Sequence, residues 1–100
     1  MLNVYLHTNG FLVEGHAEYA EYGQDIVCAS VSVLTQVLGD AIWQETNANV
    51  QKSPGRYKLV LLTETPESKI LLKTFKRGVR DIASQYPDNV KIFGSLEKLT

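Results

Sequence analysis

Several features are scarce in this sequence, and each scarcity excludes a class of protein. Its 100 residues include one cysteine and two histidines, too few for a disulfide scaffold or a structural zinc site. Three prolines, seven glycines and an apolar content of 44% are ordinary globular values and exclude a disordered chain. The length fits one domain spanning residues 1–100 and is too short for two.

Long apolar runs are missing as well. No stretch of eighteen consecutive apolar residues occurs, and the opening segment MLNVYLHTNG lacks the basic region, the long apolar region and the small-residue cleavage site of a secretory signal. We therefore expect a cytoplasmic protein with no membrane contact.

Basic residues are absent from the first half of the chain. Residues 1–51 carry six acids and no Lys or Arg, whereas residues 52–100 carry all ten basic residues and five acids, giving net charges of −6 and +5. A surface built from the first half would attract cationic partners, through a field that salt screens within about 8–10 Å. The alternative is that the two halves neutralise one another across the fold.

The opening residues 2–17 predict two strands joined at Asn9-Gly10, the pair that best tolerates the positive φ angles of a type I′ turn. With these residues at the centre of the turn, Leu6 would lie opposite Val13. The alternation of side chains then puts one apolar face toward the core and leaves His16 on the other face. His16 is therefore predicted to lie outside the main apolar layer, where it is available for chemistry.

A long apolar helix is predicted next. From Ile26 to about Trp43, apolar residues at helical spacing cover most of the circumference, which indicates a buried central helix. Asp25 has the chemistry of an N-cap, which would place Cys28 in the first helical turn. Gly39 is expected to end or bend the helix, and residues 18–25 before it are predicted to form a loop able to move.

The second half of the sequence predicts a hairpin, a helix and a last strand. Residues 47–62 read as two strands with Pro54-Gly55 at the centre of a type II turn. Thr65-Pro66 supplies an N-cap and a first helical residue for a helix to about Tyr86, and Val90–Phe93 can return as a strand. The order ββαββαβ predicts an α+β fold with a largely antiparallel sheet and two helices on one face.

Two residues could carry covalent chemistry. In a first helical turn, unsatisfied N–H groups would favour the thiolate of Cys28 and stabilise an oxyanion beside it. His16 lies twelve residues earlier, and the intervening loop could bring its imidazole to the sulfur to transfer protons. Asp25 is assigned first to capping and second to orienting His16. The alternative is that Cys28 is a small core residue and His16 a structural one.

The segment GHAEYAEYGQDIVCASVS, residues 15–32, resembles the signature of the Prp family, the ribosomal-processing cysteine proteases of certain bacteria. The order of strands and helices, with the late segment SQYPDNVKI, extends the likeness over nearly the whole chain. The matching positions of the signature are Gly15-His16-Ala17, Tyr19-Ala20, Gly23, Asp25-Ile26-Val27-Cys28-Ala29 and Ser32.

The resemblance implies a cysteine endopeptidase in which Cys28 is the nucleophile and His16 the general base and acid, with Asp25 and Ser32 as supporting residues and no metal or cofactor. The implied substrate is a precursor of bacterial large-subunit ribosomal protein twenty-seven, whose apolar N-terminal extension, followed by lysines, is removed. A homodimer is implied as well. The loop 18–25 would close over the peptide as a lid, with candidate substrate contacts at Glu18, Tyr19, Glu21, Tyr22 and Gly23.

Two other functions are compatible with the same residues. One is a non-enzymatic, ribosome-associated module in which Cys28 is buried and the loop grips a peptide without cutting it. The other is a redox sensor, which would need an external resolving thiol because the chain has no second cysteine.

A basic stripe at i, i+4, i+7 and i+11 marks the second predicted helix and consists of Lys69, Lys73, Lys76 and Arg80, with Arg77 adjacent. Such a stripe could contact ribosomal RNA or an acidic partner. No RNA-binding motif or aromatic platform accompanies it, which favours a solvated helix face. Direct contact with nucleic acid is therefore not expected from the sequence.

Overall fold

The computed structural model describes the backbone of residues 1–15 and 22–100, and the side chains of residues 1–15 and 26–100. Within these ranges the order of elements is ββαββαβ, as predicted. The elements are β1 (Leu2–His7), β2 (Gly10–Glu14), α1 (Tyr22–Glu45), β3 (Ala48–Ser53), β4 (Arg56–Leu61), α2 (Pro66–Gln85) and β5 (Val90–Gly94).

The strands form one sheet in the order β3-β4-β2-β1-β5. Three neighbouring pairs are antiparallel, and β5 joins β1 in parallel. Both helices lie on the same face of this sheet and contact each other, so the predicted α+β fold is confirmed.

The core lies between that sheet face and the two helices. Alternate strand residues point into it, as a sheet with one covered face requires. The ring of Phe11 stacks on Phe75 of α2, with ring centroids 3.8 Å apart, and on Tyr57 of β4 at 5.8 Å. Buried side chains of the helices complete the cluster and include Val27, Val31, Ile42, Leu72 and Val79.

The first hairpin has a different register from the predicted one. Leu6 lies opposite Phe11 rather than Val13, and β2 begins at Gly10, so Thr8-Asn9 forms the two-residue loop. The prediction of a type I′ turn centred on Asn9-Gly10 is therefore wrong. The register differs by two residues, which leaves every side chain on its predicted face because the strand period is two.

Long-range contacts explain this register. A Cβ at Gly10 would lie 2.0 Å from the carbonyl oxygen of Leu59, so the glycine allows β2 and β4 to approach closely. The side chain of Asn9 accepts a hydrogen bond from the Leu99 amide at 2.7 Å and donates one to the Leu99 carbonyl at 2.9 Å. Asn9 and Gly10, which favour a local turn, therefore make contacts with segments that are distant in the sequence: the C-terminal residue Leu99 and strand β4.

The second hairpin and α2 begin as their sequences predict. Ser53 pairs with Arg56, which leaves Pro54-Gly55 at the centre of the turn, and Gly55 has the positive φ of 71° that a type II turn needs. At α2, the Thr65 side chain accepts a hydrogen bond from the Ser68 amide at 3.0 Å, and Ser68 Oγ accepts one from the Thr65 amide at 2.9 Å. This reciprocal capping box fixes the start of the helix.

Helix α1 departs from the prediction in its limits. It begins at Tyr22, one turn before the predicted N-cap Asp25, and continues through Gly39 to Glu45. A carboxylate is favoured near the start of a helix as well as at the cap, so Asp25 suits either position. A Cβ at Gly39 would lie 2.1 Å from the Tyr57 hydroxyl, which shows that this glycine makes room for Tyr57 rather than ending the helix.

One side of α1 is buried and the other is not. Val27, Val31 and Ile42 are in the core, but Val33 and Val37 are each 62% exposed and Trp43 is 58% exposed. The expectation of a helix buried on most sides is therefore wrong. Residues Ile26–Glu45 have the length and apolar composition of a membrane-spanning helix, and 28% of this apolar segment is buried inside the fold.

Candidate functional site

A cleft of about 490 Å³ opens beside the first half of α1, at the end of the sheet where β2 ends and β4 begins. Its helical wall is one face of α1, since the residues recur at three- and four-residue spacing. These residues are Cys28, Val31, Ser32, Thr35 and Gln36.

The opposite wall comes from the hairpin of β3 and β4, with Leu2 of β1 and Gly15 beside it. The hairpin residues in contact with the cleft are Lys52, Ser53, Gly55, Arg56 and Tyr57. Because Gly55 takes the positive φ of the type II turn, the tip of the hairpin folds back and presents its backbone to the cleft. The cleft therefore joins segments that are far apart in the sequence.

Cys28 is half-buried and contacts both the core and the cleft. Its neighbour Val27 is 1% exposed and supplies the core packing at this point of the helix. A cysteine serving only as a core residue would have its side chain enclosed by apolar neighbours. The thiol of Cys28 instead borders a space large enough for peptide atoms, which favours the chemical interpretation over the structural one.

Gly15 sets the direction of the chain immediately before His16. Its φ is +113°, and a Cβ at this position would lie 2.3 Å from the carbonyl oxygen of Met1. The Gly15 amide donates a hydrogen bond to the Gly55 carbonyl at 2.9 Å. Gly15 and Cys28 thus border the same cleft. His16, the next residue in the sequence, lies outside the described residues.

Cys28 is not in the first turn of α1. Since the helix begins at Tyr22, Cys28 lies in the second turn, where the helical pattern pairs its amide with the carbonyl four residues earlier. The predicted position of Cys28 in the first turn is therefore wrong, and that position was the reason for assigning its N–H to the oxyanion. Donors for that purpose must come from side chains in the cleft or from other backbone amides.

Ser32 has a hydroxyl group at the cleft. It lies one turn after Cys28 on the same face of α1 and is exposed in the cleft. Its Oγ accepts a hydrogen bond from the Gln36 Nε2 at 3.0 Å, so the Ser32 proton remains available to a partner. A hydroxyl that accepts one hydrogen bond donates a stronger one.

The charged side chains that line the cleft among the described residues, Lys52 and Arg56, belong to the hairpin wall, and each is paired with an acid of another element. Lys52 Nζ lies 3.2 Å from Asp40 Oδ1 and 5.2 Å from the centre of the Tyr57 ring. Burial is the main cause that raises the pKa of Tyr57 well above its usual range, and the nearby charge of Asp40 and the hydrogen bond to it contribute in the same direction. Tyr57 is thus a neutral phenol at physiological pH and a structural wall rather than a base.

The predicted substrate loop is only partly described. Glu18, Tyr19 and Glu21 lie outside the described residues. Tyr22 and Gly23, with Asp25, belong to the first turns of α1, so the prediction of a loop across 18–25 is wrong for its last four residues.

Of the six acids of residues 1–51, Glu14, Asp40 and Glu45 have described side chains, and Asp40 is paired with Lys52. Glu14 Oε2 lies 3.5 Å from Arg56 Nε at the edge of the cleft. This exposed ion pair reduces the negative potential that Glu14 would otherwise offer a substrate lysine.

Sequence reasoning missed most of the cleft. Thr35 and Gln36 are polar residues on an otherwise apolar helix, seven and eight residues after Cys28. That spacing puts them on the same helical face and could have identified them. The hairpin wall, including Lys52 and Arg56, has no local signal because only the tertiary fold brings it to α1.

Comparison with known proteins shows which family of proteins this chain is similar to. The sequence profile of a family described as cysteine protease Prp matches residues 2–91. The chain is 28% identical over 95 residues to the ribosomal processing cysteine protease Prp of Mycoplasma genitalium, covering 92% of this chain and 94% of that one. With the protein of the same name from Mycoplasma pneumoniae it shares 32% identity over 90 residues, covering 87% and 88%.

Solved structures share the fold. The essential ribosomal processing protease Prp from S. aureus, crystallised with a substrate peptide, superimposes with a TM-score of 0.87 at 21% identity, over 95% of this chain and 100% of that one. The same protease with a covalently linked product peptide gives a TM-score of 0.84 at 22% identity, with the same coverage.

Proposed function

Since this chain belongs to the cysteine protease Prp family, we propose that it is an endopeptidase that uses a dyad of Cys28 and His16. Its proposed substrate is a precursor of bacterial large-subunit ribosomal protein twenty-seven, from which it removes the N-terminal extension. The relatives are named for ribosomal processing, and one solved neighbour holds a substrate peptide, which supports a peptide substrate here.

The observation that carries the proposal is the position of Cys28. Its side chain is half-buried on the wall of a cleft of about 490 Å³. Gly15, the residue before His16, borders the same cleft. A nucleophile needs access to the substrate and a base within reach of one hydrogen bond, and this arrangement supports both conditions.

The proposed reaction is an acyl transfer in two steps. The Cys28 proton passes to His16 and the sulfur attacks the scissile carbonyl, forming a tetrahedral oxyanion. This collapses to a thioester on Cys28 as His16 protonates the departing amine, which is the new N-terminus of the mature protein. Water, deprotonated by His16, then hydrolyses the thioester and releases the extension with a free carboxylate.

Ser32 is proposed to stabilise the oxyanion. Its hydroxyl stands one helical turn from Cys28, in the cleft, and is oriented by the Gln36 amide. Preorganised donors directed at a developing charge are among the largest contributions to catalysis. Asp25 is proposed to act in orienting His16, since the start of α1 at Tyr22 removes its predicted role as the cap.

Substrate recognition is proposed to involve the segment before α1 together with the first turn of that helix. Tyr19 in the segment and Tyr22 in the first turn would contact the apolar extension, and Glu18 and Glu21 would attract the lysines that follow the extension. Because Glu14 is already paired with Arg56, the attraction would fall on the other acids. Closure of this segment over the peptide would bring His16 toward Cys28.

A cytoplasmic homodimer is proposed as the assembled form. The outer face of α1 carries exposed apolar side chains, namely Ile26, Val33, Val37 and Trp43. Exposed apolar surface of this kind marks an interaction site, and a second copy of the same helix offers a matching surface through two-fold symmetry.

The test is to mix the purified protein with a precursor ribosomal protein that carries its N-terminal extension and to follow intact mass over time. Loss of one defined N-terminal fragment with wild type, and none with Cys28→Ala or His16→Ala, supports the protease and locates the scissile bond. Binding of the precursor without any fragment would replace the proposal with the non-enzymatic binding module.

A further inference from the structure

A second groove, of about 500 Å³, runs along α2. It shares no lining residue with the cleft of Cys28 among the described parts of the chain. Five basic side chains border it: Lys69, Lys73, Lys76, Arg77 and Arg80. We refer to it as the α2 groove.

Helix geometry explains why these cations share one groove. Lys69, Lys73, Lys76 and Arg80 recur at spacings of three and four residues, which is one helix face. They directly follow the buried residues Ser68, Leu72, Phe75 and Val79 along the sequence, so the cationic face flanks the buried face. At 1.5 Å per residue the row extends about 16 Å.

Few negative charges of the described residues neutralise the cations of the α2 groove. Glu64 and Asp81 also border it, but the ion pairs of the described residues involve Lys52 and Arg56 at the other site. Lys76 is half-buried, and its desolvation, together with the charge of Arg80, lowers its pKa. Among the described residues the five cations of the groove outnumber its two acids, and a groove with excess positive charge gains free energy when an anion enters it.

We propose that the α2 groove binds the phosphate backbone of a nucleic acid. Over about 16 Å of duplex axis each strand carries about five phosphates, so a duplex offers a density of negative charge comparable to the positive charge of the groove. This site is independent of the peptidase cleft and goes beyond the proposed proteolytic activity.

The lining favours a polyphosphate over an acidic protein. Protein interfaces depend on an apolar centre with aromatic anchors, whereas the apolar member of this groove, Leu72, is only 5% exposed. No aromatic side chain of the described residues borders the groove, so these residues do not offer the base stacking that single strands require for tight binding. A double helix contacted through its phosphates is the ligand that needs cations alone.

The experiment titrates the full chain into a fluorescein-labelled 16-base-pair RNA duplex and follows fluorescence anisotropy between 50 and 200 mM NaCl. We expect weak binding, with Kd about 10⁻⁶ to 10⁻⁴ M, and an affinity that falls steeply with salt. Each phosphate contact contributes about 0.9 to the slope of log K against log salt in a duplex. Lys73→Glu should therefore weaken binding about tenfold at low salt and reduce the slope by about 1.

The matched control is Lys91→Glu, which makes the same charge change at an exposed residue of β5. It should leave the slope unchanged. Lys76→Gln, which removes a charge without adding an acid, should reduce the slope by about 1, and circular dichroism melting confirms that each variant is folded. A DNA duplex of the same sequence distinguishes the source of the phosphates. Tighter binding of RNA identifies an RNA duplex as the ligand, and equal or tighter binding of DNA shows that duplex phosphates of either kind are bound; both results support the proposal.

Three results would overturn it: no binding at 50 mM NaCl, an equal loss of affinity in Lys91→Glu, or equal binding of an oligoglutamate with the same number of charges. Absence of binding would mean that the cations of α2 form a solvated helix face. An equal loss of affinity in Lys91→Glu would mean that binding depends on the net charge of the protein and not on the groove. Equal binding of oligoglutamate would identify an acidic polypeptide as the partner.

Discussion

The amide of Gly15 donates a hydrogen bond to the carbonyl of Gly55, with a nitrogen–oxygen distance of 2.9 Å. Both glycines have positive φ angles and both border the cleft of Cys28. This contact ties the end of β2 to the tip of the β3–β4 hairpin. It holds Gly15, the residue that precedes the proposed base His16 in the sequence, at the cleft.

Gly15→Ala should damage both folding and activity. A side chain at φ +113° is strained, and its Cβ would lie 2.3 Å from the Met1 carbonyl oxygen. We expect urea unfolding to show a loss of about 1–3 kcal/mol, and precursor cleavage to fall further than stability alone explains because His16 is displaced. Gly94→Ala is the control, since nothing lies within 4 Å of a Cβ there. Equal effects of the two substitutions would refute this role of Gly15.

Ser32→Ala should lower kcat about 10- to 100-fold, with KM within about twofold, because its hydroxyl is proposed to act on the oxyanion of the transition state. Steady-state cleavage of a peptide spanning the cleavage site measures both constants. Ser30→Ala is the matched control. Ser30 is exposed on the same helix, its hydroxyl donates to the Ile26 carbonyl at 2.8 Å, and it does not border the cleft. A kcat within about twofold of wild type in Ser32→Ala would exclude the hydroxyl from the reaction.

The raised pKa of Tyr57 predicts how stability depends on pH. Above pH ~10, the ordinary pKa of tyrosine, the unfolded chain loses this proton and the folded chain keeps it. The folded state then binds more protons, so the free energy of unfolding falls as pH rises, by about 1.4 kcal/mol per pH unit for one group. Urea titrations at pH 9 and 11 should show a smaller decline in Tyr57→Phe than in wild type. Identical declines would contradict the assignment.

The outer face of α1 predicts the assembly state. Val33→Glu combined with Val37→Glu should convert a dimer to a monomer in sedimentation velocity, since charges would replace apolar side chains that are each 62% exposed in one chain. Ile70→Glu is the control because Ile70 is 66% exposed on α2. A monomeric wild type, or dissociation caused equally by Ile70→Glu, would exclude this face as the interface.

Local sequence signals predicted the elements that depend on local chemistry. Pro54-Gly55 and Thr65-Pro66 were sufficient to predict the second hairpin and the start of α2, because each pair restricts its own backbone. The register of the first hairpin could not be predicted from Asn9-Gly10. Gly10 is needed for the approach of β4, and the Asn9 side chain binds the C-terminal segment.

The part of the candidate site that lies on one helix was predictable from local sequence. Cys28 is a single nucleophile within a predicted helix, and Ser32 follows it at helical spacing. The hairpin wall at Lys52 and Arg56 depends on the tertiary fold and left no local pattern. The position of Cys28 within α1 was misjudged because Asp25 is a favourable residue both at a cap and just inside a helix.

The central claim is that Cys28 forms the bond to the substrate. Wild-type protein would be mixed with a slight excess of precursor, quenched with acid during turnover, and examined by intact mass and peptic peptide mapping. The account predicts an adduct with the mass of the released extension less one water, located on the peptide that contains Cys28 and absent in Cys28→Ala. Cleavage by Cys28→Ala at the wild-type rate, or an adduct on another residue, would contradict it.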